Sequence, residues 1–335
     1  MRVPAALTPG RAKPARALVT GCAGFIGSHL TEALLRDGVE VIGVDCFNAN
    51  YGRHQKLANL HHALDWRVFE FVPLDLAIGE LDDLVREVDV VFHLAAEPGV
   101  RSSWGPRFQR YVTNNVVATH QLLRSLETLP GRRLVYASSS SIYGQAEAMP
   151  TGEDARPAPL SPYGLTKLTG EHLCNIYHAN HGLEVVSLRY FTVFGPRQRP
   201  DMAFNIFCRA ALEGGAIEVY GDGHQTRDFT FVEDVVAATR AAAVAPIDAG
   251  GAYNIGGGLR ASLRGVIAAI EEVSGRTFDV SFGAEQPGDV RDTGADTAKA
   301  RAHLGFDPRT SLLDGIAAEF EWLRDAGGVA APAPQ

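Results

Sequence analysis

The sequence contains no apolar run long enough to cross a bilayer, which takes about 20 residues in a helix. Its N-terminus carries basic side chains but lacks the apolar stretch of a signal peptide. Cysteine is scarce and scattered, with no Cys-x-x-Cys spacing and no histidine cluster beside it; the four are Cys22, Cys46, Cys174 and Cys208. We therefore expect reduced, structural thiols, a cytoplasmic protein and no metal site.

Positive charge is also in short supply. The net charge of −8 argues against nucleic acid or an anionic membrane as a general partner, although local arginines can still bind a small anion. The hydrophobic fraction of 46% and the length of 335 residues suit a globular protein with one large α/β domain or two lobes. We expect flexible tails over 1–16 and 326–335.

What the chain does contain is a βαβ unit near its start. A short buried strand over 17–20 runs into a glycine-rich turn and an amphipathic helix, and a second strand over 39–44 ends at Asp45. The spacing Gly-x-x-Gly-x-x-Gly is formed by Gly21, Gly24 and Gly27. Such glycines allow a tight turn and close approach of the backbone to a pyrophosphate. Asp45 would bind the adenosine ribose and repel a 2′-phosphate, which favours NAD over NADP; its alternative use is as a cap or turn residue.

Strands and helices continue to alternate beyond this unit. The predicted strands span 66–72, 88–95, 133–139 and 183–191, with helical regions over 108–128 and 162–181. This order predicts a Rossmann-type, doubly wound parallel sheet with helices on both faces.

After Phe191 the pattern becomes less regular and predicts a smaller mixed α/β substrate-binding lobe. Its predicted strands span 217–220 and 228–232, and its helices span 204–213, 233–244, 263–273, 297–304 and 312–324. We assign 17–192 to an NAD-binding domain with a return segment near 225–255, and 193–224 and 256–325 to the substrate domain.

Tyr163 and Lys167 lie four residues apart in a predicted helix and therefore on one face of it. A free phenol has a pKa of about 10, so it acts as a base near neutrality only beside a positive charge, which Lys167 could supply. On its own the pair is weak, because tyrosine and lysine are ordinary residues of helix surfaces.

Several further motifs accompany this pair in a fixed order. They are Leu74-Asp75-Leu76, His93-Leu94-Ala95-Ala96, Ser138-Ser139-Ser140-Ser141-Ile142-Tyr143-Gly144, Arg227-Asp228-Phe229 through Asp234, and Pro287 through Asp292. Together with the glycine turn they resemble the extended short-chain dehydrogenase/reductases, and within them the nucleotide-sugar epimerases and dehydratases, over 17–323. The resemblance implies NAD as cofactor, a UDP-sugar as substrate and a homodimer formed through the helices over 108–128 and 162–181.

The resemblance also implies roles for individual residues. Tyr163 is the general base and acid, Lys167 binds the nicotinamide ribose and lowers the pKa of the tyrosine, and Ser139 is the third catalytic hydroxyl, with Ser138 and Ser140 as alternatives. The residues assigned to the cofactor are Gly21, Gly24, Phe25, Ile26, Gly27, Asp45, Asn48, Asp75, Leu76, Leu94, Ala95, Ala96, Asn115, Tyr163, Lys167 and Tyr190.

The serine run distinguishes related activities. Sugar 4,6-dehydratases carry an Asp-Glu pair directly after the catalytic hydroxyl, where this chain has Ser140 and Ser141. UDP-glucuronate decarboxylases usually carry glutamate at the position of Ser141. Both activities are therefore disfavoured.

The loop after Phe191 resembles that of UDP-glucuronate 4-epimerases, because Thr192 is followed by Arg197-Gln-Arg199-Pro-Asp-Met. A guanidinium beside a hydroxyl suits a sugar carboxylate. We assign Thr192 and Arg199 to that carboxylate, with Arg197 as second choice; the alternative is an exposed basic loop.

Two arginines, Arg227 and Arg291, are assigned to the substrate pyrophosphate, with surface ion pairs as the alternative. The full set assigned to the substrate is Val100, Arg101, Ser139, Ser140, Thr192, Arg199, Ile217, Tyr220, Arg227 and Arg291. The predicted function is reversible 4-epimerisation of UDP-glucuronate to UDP-galacturonate through a 4-keto intermediate. Alternatives are a UDP-glucose or UDP-N-acetylglucosamine 4-epimerase, a UDP-glucuronate decarboxylase, a net dehydrogenase and a catalytically silent NAD-binding regulatory protein.

Overall fold

A computed structural model of the chain describes residues 7–129 and 131–325. The strands are β1 (Arg16–Thr20), β2 (Glu40–Val44), β3 (Phe69–Val72), β4 (Val90–His93), β5 (Arg133–Ser139), β6 (Glu184–Tyr190), β7 (Val193–Phe194), β8 (Ala216–Tyr220), β9 (Thr226–Phe231), β10 (Ala252–Ile255), β11 (Leu259–Ser262) and β12 (Asp279–Gly283). The helices are α1 (Phe25–Arg36), α2 (Arg53–Leu64), α3 (Asp82–Arg86), α4 (Phe108–Tyr111), α5 (Ala118–Leu126), α6 (Pro162–His181), α7 (Ala203–Glu213), α8 (Val232–Val244), α9 (Leu263–Ser274), α10 (Ala298–Leu304) and α11 (Leu312–Asp325).

The main sheet of the described residues has seven strands in the order β10-β6-β5-β4-β1-β2-β3. All neighbouring strands in it are parallel. The direction in which the chain adds strands reverses between β1 and β4. In open α/β sheets ligands bind at this switch point, beyond the carboxyl ends of the strands. The predicted Rossmann-type fold is confirmed.

Apolar side chains cover both faces of the sheet. Along β1, Leu18 belongs to one hydrophobic cluster and Val19 to another, because successive side chains of a strand point to opposite faces. Helices α5 and α6 complete the cluster on the face of Leu18, and α1 and α8 complete the one on the face of Val19. Burial on both sides explains why the central strands are continuous apolar runs.

The second half of the chain adds two small sheets, one of β11-β9-β7 and one of β12-β8. Strand β10 returns to the main sheet and pairs in parallel with β6, and α8 packs against α1. The cluster that contains Val19 extends to Ile270 in α9, so the two predicted domains share core side chains. Among the described residues, none of the helices combines the length and apolarity that crossing a membrane requires.

Two helical regions of the structure differ from the prediction. Helix α2 was not expected, because its sequence has weak apolar periodicity and leaves Leu57 and Leu64 exposed. The expected helix over 108–128 comprises α4 and α5 with a π-helical segment, Val112–Val117, between them.

Hydrogen bonds connect the described part of the predicted N-terminal tail, residues 7–16, to other parts of the chain. The backbone N–H of Thr8 donates to the carbonyl of Ile247 at 2.8 Å, and that of Ala15 donates to the carboxylate of Asp89 at 2.8 Å. The segment is therefore attached to the body of the protein by partners that are distant in sequence. Residues 1–6 and the predicted tail over 326–335 lie outside the described residues.

Candidate active site

A cavity of about 210 Å³ opens beyond the carboxyl ends of β1 and β4. All the residues predicted to bind the cofactor line this cavity, with the exception of Asn115. Arg199, which was assigned to the substrate, lines it as well. Gly21 and Asp45 lie at the ends of β1 and β2, while Tyr163 and Lys167 project from the start of α6. The parallel sheet thus brings the glycine turn and the Tyr-Lys pair to one cavity.

The glycine turn has the geometry of a phosphate cradle. Gly21 has φ +72°, and a Cβ on it would lie 2.8 Å from the backbone nitrogen of Ala95. A Cβ on Gly27 would lie 2.1 Å from the carbonyl oxygen of Gly21. Gly24, the N-cap of α1, has no side chain to cap the first turn, so backbone N–H groups there are open to an anionic ligand. These features fit the pyrophosphate of a dinucleotide.

Asp45 is held by a lysine that the sequence analysis did not identify. Lys56 Nζ lies 3.3 Å from Asp45 Oδ1 and donates to Asn48 Oδ1 at 2.8 Å. Both members of the ion pair are buried. Asp45 also accepts from the backbone N–H of Phe47 at 2.8 Å, so it is a turn residue as well as a cavity residue. Lys56 was missed because it lies in α2.

Asn115 lies behind the cavity and fixes its wall. Its Oδ1 accepts from the backbone N–H of Glu97 at 2.6 Å, and its Nδ2 donates to the carbonyl of Glu97 at 3.1 Å. The same Nδ2 donates to Thr166 Oγ1 at 2.9 Å. Asn115 therefore ties the segment after β4 to helix α6.

Local sequence places Tyr163 in the first turn of α6. Ser161 is the N-cap, its Oγ accepting from the backbone N–H of Gly164 at 3.1 Å, and Pro162 occupies the first helical position. Burial raises the pKa of Tyr163, while a hydrogen bond with the Ser139 side chain and the charge of Arg199 lower it. Arg199 is thus a cation that lowers the pKa of this phenol, and the effect predicted for Lys167 stays a prediction.

Lys167 is buried one turn after Tyr163. Burial lowers its pKa to about 8, and the carboxylate of neighbouring Glu171 opposes this shift. The ammonium lies 4.8 Å from the ring centroid of Tyr136, a cation–π distance. A lysine with this pKa is sensitive to the charges around it near neutral pH.

The serine run divides its hydroxyls among different partners. Ser138 donates to the Glu171 carboxylate, and Ser139 accepts from the backbone N–H of Ser141 at 3.1 Å. Ser140 lines a second cavity instead. Among these serines, Ser139 is the one whose hydrogen bond acts on the pKa of Tyr163.

The second cavity has a volume of about 150 Å³. Predicted substrate residues line it, namely Val100, Ser140, Thr192 and Arg227. Arg227 Nη1 donates to the carbonyls of Thr226 at 3.0 Å and Arg291 at 3.2 Å. Burial lowers the pKa of Arg227, an environment in which an anionic partner would be favourable.

The two arginines considered for the sugar carboxylate have different surroundings. Arg199 lines the main cavity and donates from Nε and Nη2 to the Asp201 carboxylate at 3.0 and 2.9 Å. Arg197 has φ +66° and donates to Glu32 of α1 at 2.7 Å. The guanidinium of Arg197, the second choice, is paired with Glu32, and Arg197 lines neither cavity.

Five of the predicted substrate residues line neither cavity; they are Arg101, Ser139, Ile217, Tyr220 and Arg291. Ile217 is buried in the hydrophobic core. Arg291 makes a bidentate ion pair with Asp222, both distances being 2.9 Å. The guanidinium of Arg101 is paired with Asp289 and lies 4.3 Å from the ring centroid of Tyr220.

The fold and the cavity together define an NAD-binding Rossmann enzyme with a Ser-Tyr-Lys set beside the cofactor site. The model of the NAD dependent epimerase/dehydratase family matches residues 17–256. The chain belongs to this family. NAD is its cofactor, and the prediction of an NAD-dependent enzyme of the nucleotide-sugar epimerase class is confirmed.

Similar proteins extend over nearly the whole chain. An uncharacterised UDP-glucose epimerase of Bacillus subtilis, YtcB, is 45% identical over 307 residues, covering 91% of this chain and 97% of that protein. The UDP-glucuronate 4-epimerase of Thermodesulfobacterium geofontis is 35% identical, covering 92% and 96%. The crystal structure of UDP-glucuronic acid 4-epimerase from Bacillus cereus with UDP-glucuronic acid and NAD has a TM-score of 0.89 at 42% identity, covering 93% and 99%.

Proposed function

We propose that the protein is a UDP-glucuronate 4-epimerase that interconverts UDP-glucuronate and UDP-galacturonate with tightly bound NAD. The observation that carries the proposal is the position of Arg199, a largely buried cation that lines the same cavity as Tyr163. A carboxylate on the sugar calls for such a cation, whereas the neutral carbon 6 of UDP-glucose does not. The similarity to the Bacillus cereus enzyme supports the same substrate.

Tyr163, Ser139 and Lys167 carry the proton chemistry in this proposal. Tyr163 removes the proton of the sugar's 4-hydroxyl. Ser139 hydrogen-bonds to the oxygen of that hydroxyl and to the phenolic oxygen of Tyr163, and Lys167 binds the nicotinamide ribose. Bound NAD supplies the acceptor for the hydride from carbon 4 and returns it to the opposite face. After the 4-keto sugar has turned, Tyr163 gives the proton back to the oxygen.

The 4-keto sugar is a β-keto acid, which tends to lose carbon dioxide. Decarboxylation requires the breaking bond to align with the ketone π system, so a carboxylate held in another orientation is protected. Asp201 occupies Nε and Nη2 of Arg199 and thereby fixes the plane of its guanidinium. Arg199 and Thr192 would then hold the carboxylate by directional, charge-assisted hydrogen bonds.

Turnover of UDP-glucuronate and UDP-glucose by the purified protein tests the choice of substrate. We expect UDP-galacturonate as the main product, and equal or better turnover of UDP-glucose would overturn the proposal. Arg199→Ala and Thr192→Ala are expected to release a UDP-pentose and carbon dioxide. Arg197→Ala is the matched control, because this arginine of the same loop is paired with Glu32, and it should release no pentose.

The second candidate is a UDP-glucose 4-epimerase, which the name of the Bacillus subtilis relative favours. The same substrate comparison separates the two. A net dehydrogenase would accumulate NADH during turnover, and a regulatory protein would leave both sugars unchanged.

We further propose a homodimer formed through α5 and α6 and the segment before α5. Exposed apolar side chains on these elements, Val117, Leu165 and Ile176, support this surface. Light scattering of the purified protein tests it, and a monomer at micromolar concentration would refute it.

We also propose a cytoplasmic location, which the four unpaired thiols support.

A further inference from the structure

A buried ion pair lies directly behind the proposed catalytic residues. Glu171 follows Lys167 by one turn of α6 and therefore lies on the same helix face. Its Oε1 accepts from Arg189 Nε at 3.0 Å, and its Oε2 accepts from Arg189 Nη2 at 2.9 Å. Both side chains are nine-tenths or more buried, with relative exposures of 4% for Glu171 and 7% for Arg189. The bidentate geometry joins α6 to β6.

Neutral groups hold this pair in place. Ser138, which lines the cofactor cavity, donates to Glu171. At the other end, Arg189 Nη1 donates to Tyr143 Oη at 2.7 Å and to the carbonyl of Glu153 at 3.0 Å. The pair is thus fully hydrogen-bonded, as a buried pair of charges must be.

Glu171 is the carboxylate that faces Lys167 within the described residues. On β4, burial lowers the pKa of His93 to about 3, so its imidazole is neutral. On β5, burial raises the pKa of Tyr136 well above its usual value, and in α6 burial does the same to the thiol of Cys174. Tyr163 also remains a phenol until it acts. Lys167 is therefore surrounded by neutral groups and one anion.

We propose that the Glu171–Arg189 pair sets the charge of Lys167, and so the pH range over which Lys167 and Tyr163 work together. Glu171 and Arg189 are positioning residues, since neither has a place in contact with the sugar. Glu171 favours the ammonium form of its buried neighbour, while Arg189 limits that effect by neutralising the carboxylate. The inference rests on the proposed roles of Tyr163 and Lys167.

Opposite shifts from the two members of the pair provide the test. Glu171→Gln removes the anion, so Lys167 should lose its proton more easily. The alkaline limb of the pH profile, where kcat/KM for UDP-glucuronate falls as the pH rises, should therefore move to lower pH by about one unit or more. Arg189→Met leaves Lys167 as the nearest cation to Glu171, so the same limb should move to higher pH. A merely structural pair would lower activity in both variants without moving the limb in opposite directions.

Matched variants keep the test decisive. Glu171→Asp retains the charge and should restore the limb to near its wild-type position. Glu184→Gln is the control, because Glu184 also accepts two hydrogen bonds from a buried arginine, Arg133, but at the far end of the sheet. It should leave the limb unmoved. If Glu171→Gln does not fold, Glu171→Gln combined with Arg189→Met avoids an unpaired buried charge and should still move the limb to lower pH.

A second readout does not depend on turnover. Calorimetric titration of the NAD-free protein with NAD measures affinity from pH 6 to 9. As the pH is raised, the affinity should begin to fall at a lower pH in Glu171→Gln than in the wild type. The reason is that Lys167 loses its proton earlier in the variant, and its ammonium form binds the ribose. An unmoved limb in Glu171→Gln, or shifts of the same sign in both single variants, would overturn the inference. If Tyr163→Phe kept full activity, the proposed function would fail instead.

Discussion

Replacing Lys56 with methionine removes the cation that is paired with Asp45 in the main cavity. Its ammonium lies 3.3 Å from the Asp45 carboxylate, and the side chains of the two residues are 6% and 7% exposed. Removing one partner of a buried pair costs about 3–5 kcal/mol, because the other charge is left uncompensated. Asp45 keeps the hydrogen bond from the backbone N–H of Phe47, so we expect the lower end, about 3 kcal/mol.

Urea unfolding of the protein stripped of NAD measures this loss. Arg86→Met is the control, because Arg86 pairs with Asp83 at 2.8 Å while their side chains are 60% and 92% exposed. An exposed pair contributes roughly 0.2–1 kcal/mol, so the control should stay close to the wild type. NAD affinity should also fall in Lys56→Met, roughly tenfold or more, because Asp45 loses the group that fixes it against the ribose.

A Lys56→Met variant as stable as Arg86→Met would refute this reasoning. It would mean that the loop after β2 relaxes enough to hydrate Asp45. Loss of stability with unchanged NAD affinity would instead show that the pair supports the fold without orienting Asp45.

Three further outcomes are expected. Tyr163→Phe should lower kcat roughly 10²–10⁴-fold without loss of bound NAD or of UDP-sugar affinity, as measured by kinetics and calorimetry. Gly27→Ala should yield protein without NAD and with a lower melting temperature, because the added Cβ would lie 2.1 Å from the Gly21 carbonyl. In urea titrations, the free energy of unfolding of Glu319→Gln should increase relative to that of the wild type as the pH rises from 4 to 7.5. Burial raises the pKa of Glu319 well above its usual value, so the wild type loses stability once the unfolded chain ionises above about pH 4.3.

The parts of the fold that sequence predicts best are those encoded locally. Strands β1 and β2 are apolar runs bounded by the glycine turn and Asp45, and α6 has its cap and Pro162 in sequence. Helix α2 was missed because its burial depends on Leu60 and Ala63 alone among its apolar residues. Its stability comes from packing against α1 and β3, which the sequence of α2 does not reveal.

The site was predictable where the motif fixes both the residue and its direction. Tyr163 and Lys167 face the cavity because α6 begins at Ser161. The surroundings of Arg291 and Ile217 were not predictable because they are set at long range: Asp222 is 69 positions from Arg291, and β8 turns Ile217 toward the core of the second half. Such partners can be found only when the fold is known.

The distribution of charge around the cavity explains how an acidic protein binds two anionic ligands. Three cations line the cavity, Lys56, Lys167 and Arg199. Lys56 is paired with Asp45 and Arg199 with Asp201, and a third carboxylate, Asp75, also lines the cavity. The cavity therefore offers directed N–H groups rather than a net excess of positive charge, and the open N-terminus of α1 adds more of them. Recognition then depends on geometry, since a paired guanidinium attracts anions weakly at long range but still orients a carboxylate in contact. Discrimination between UDP-glucuronate and UDP-glucose should accordingly persist at high ionic strength, where long-range attraction is screened.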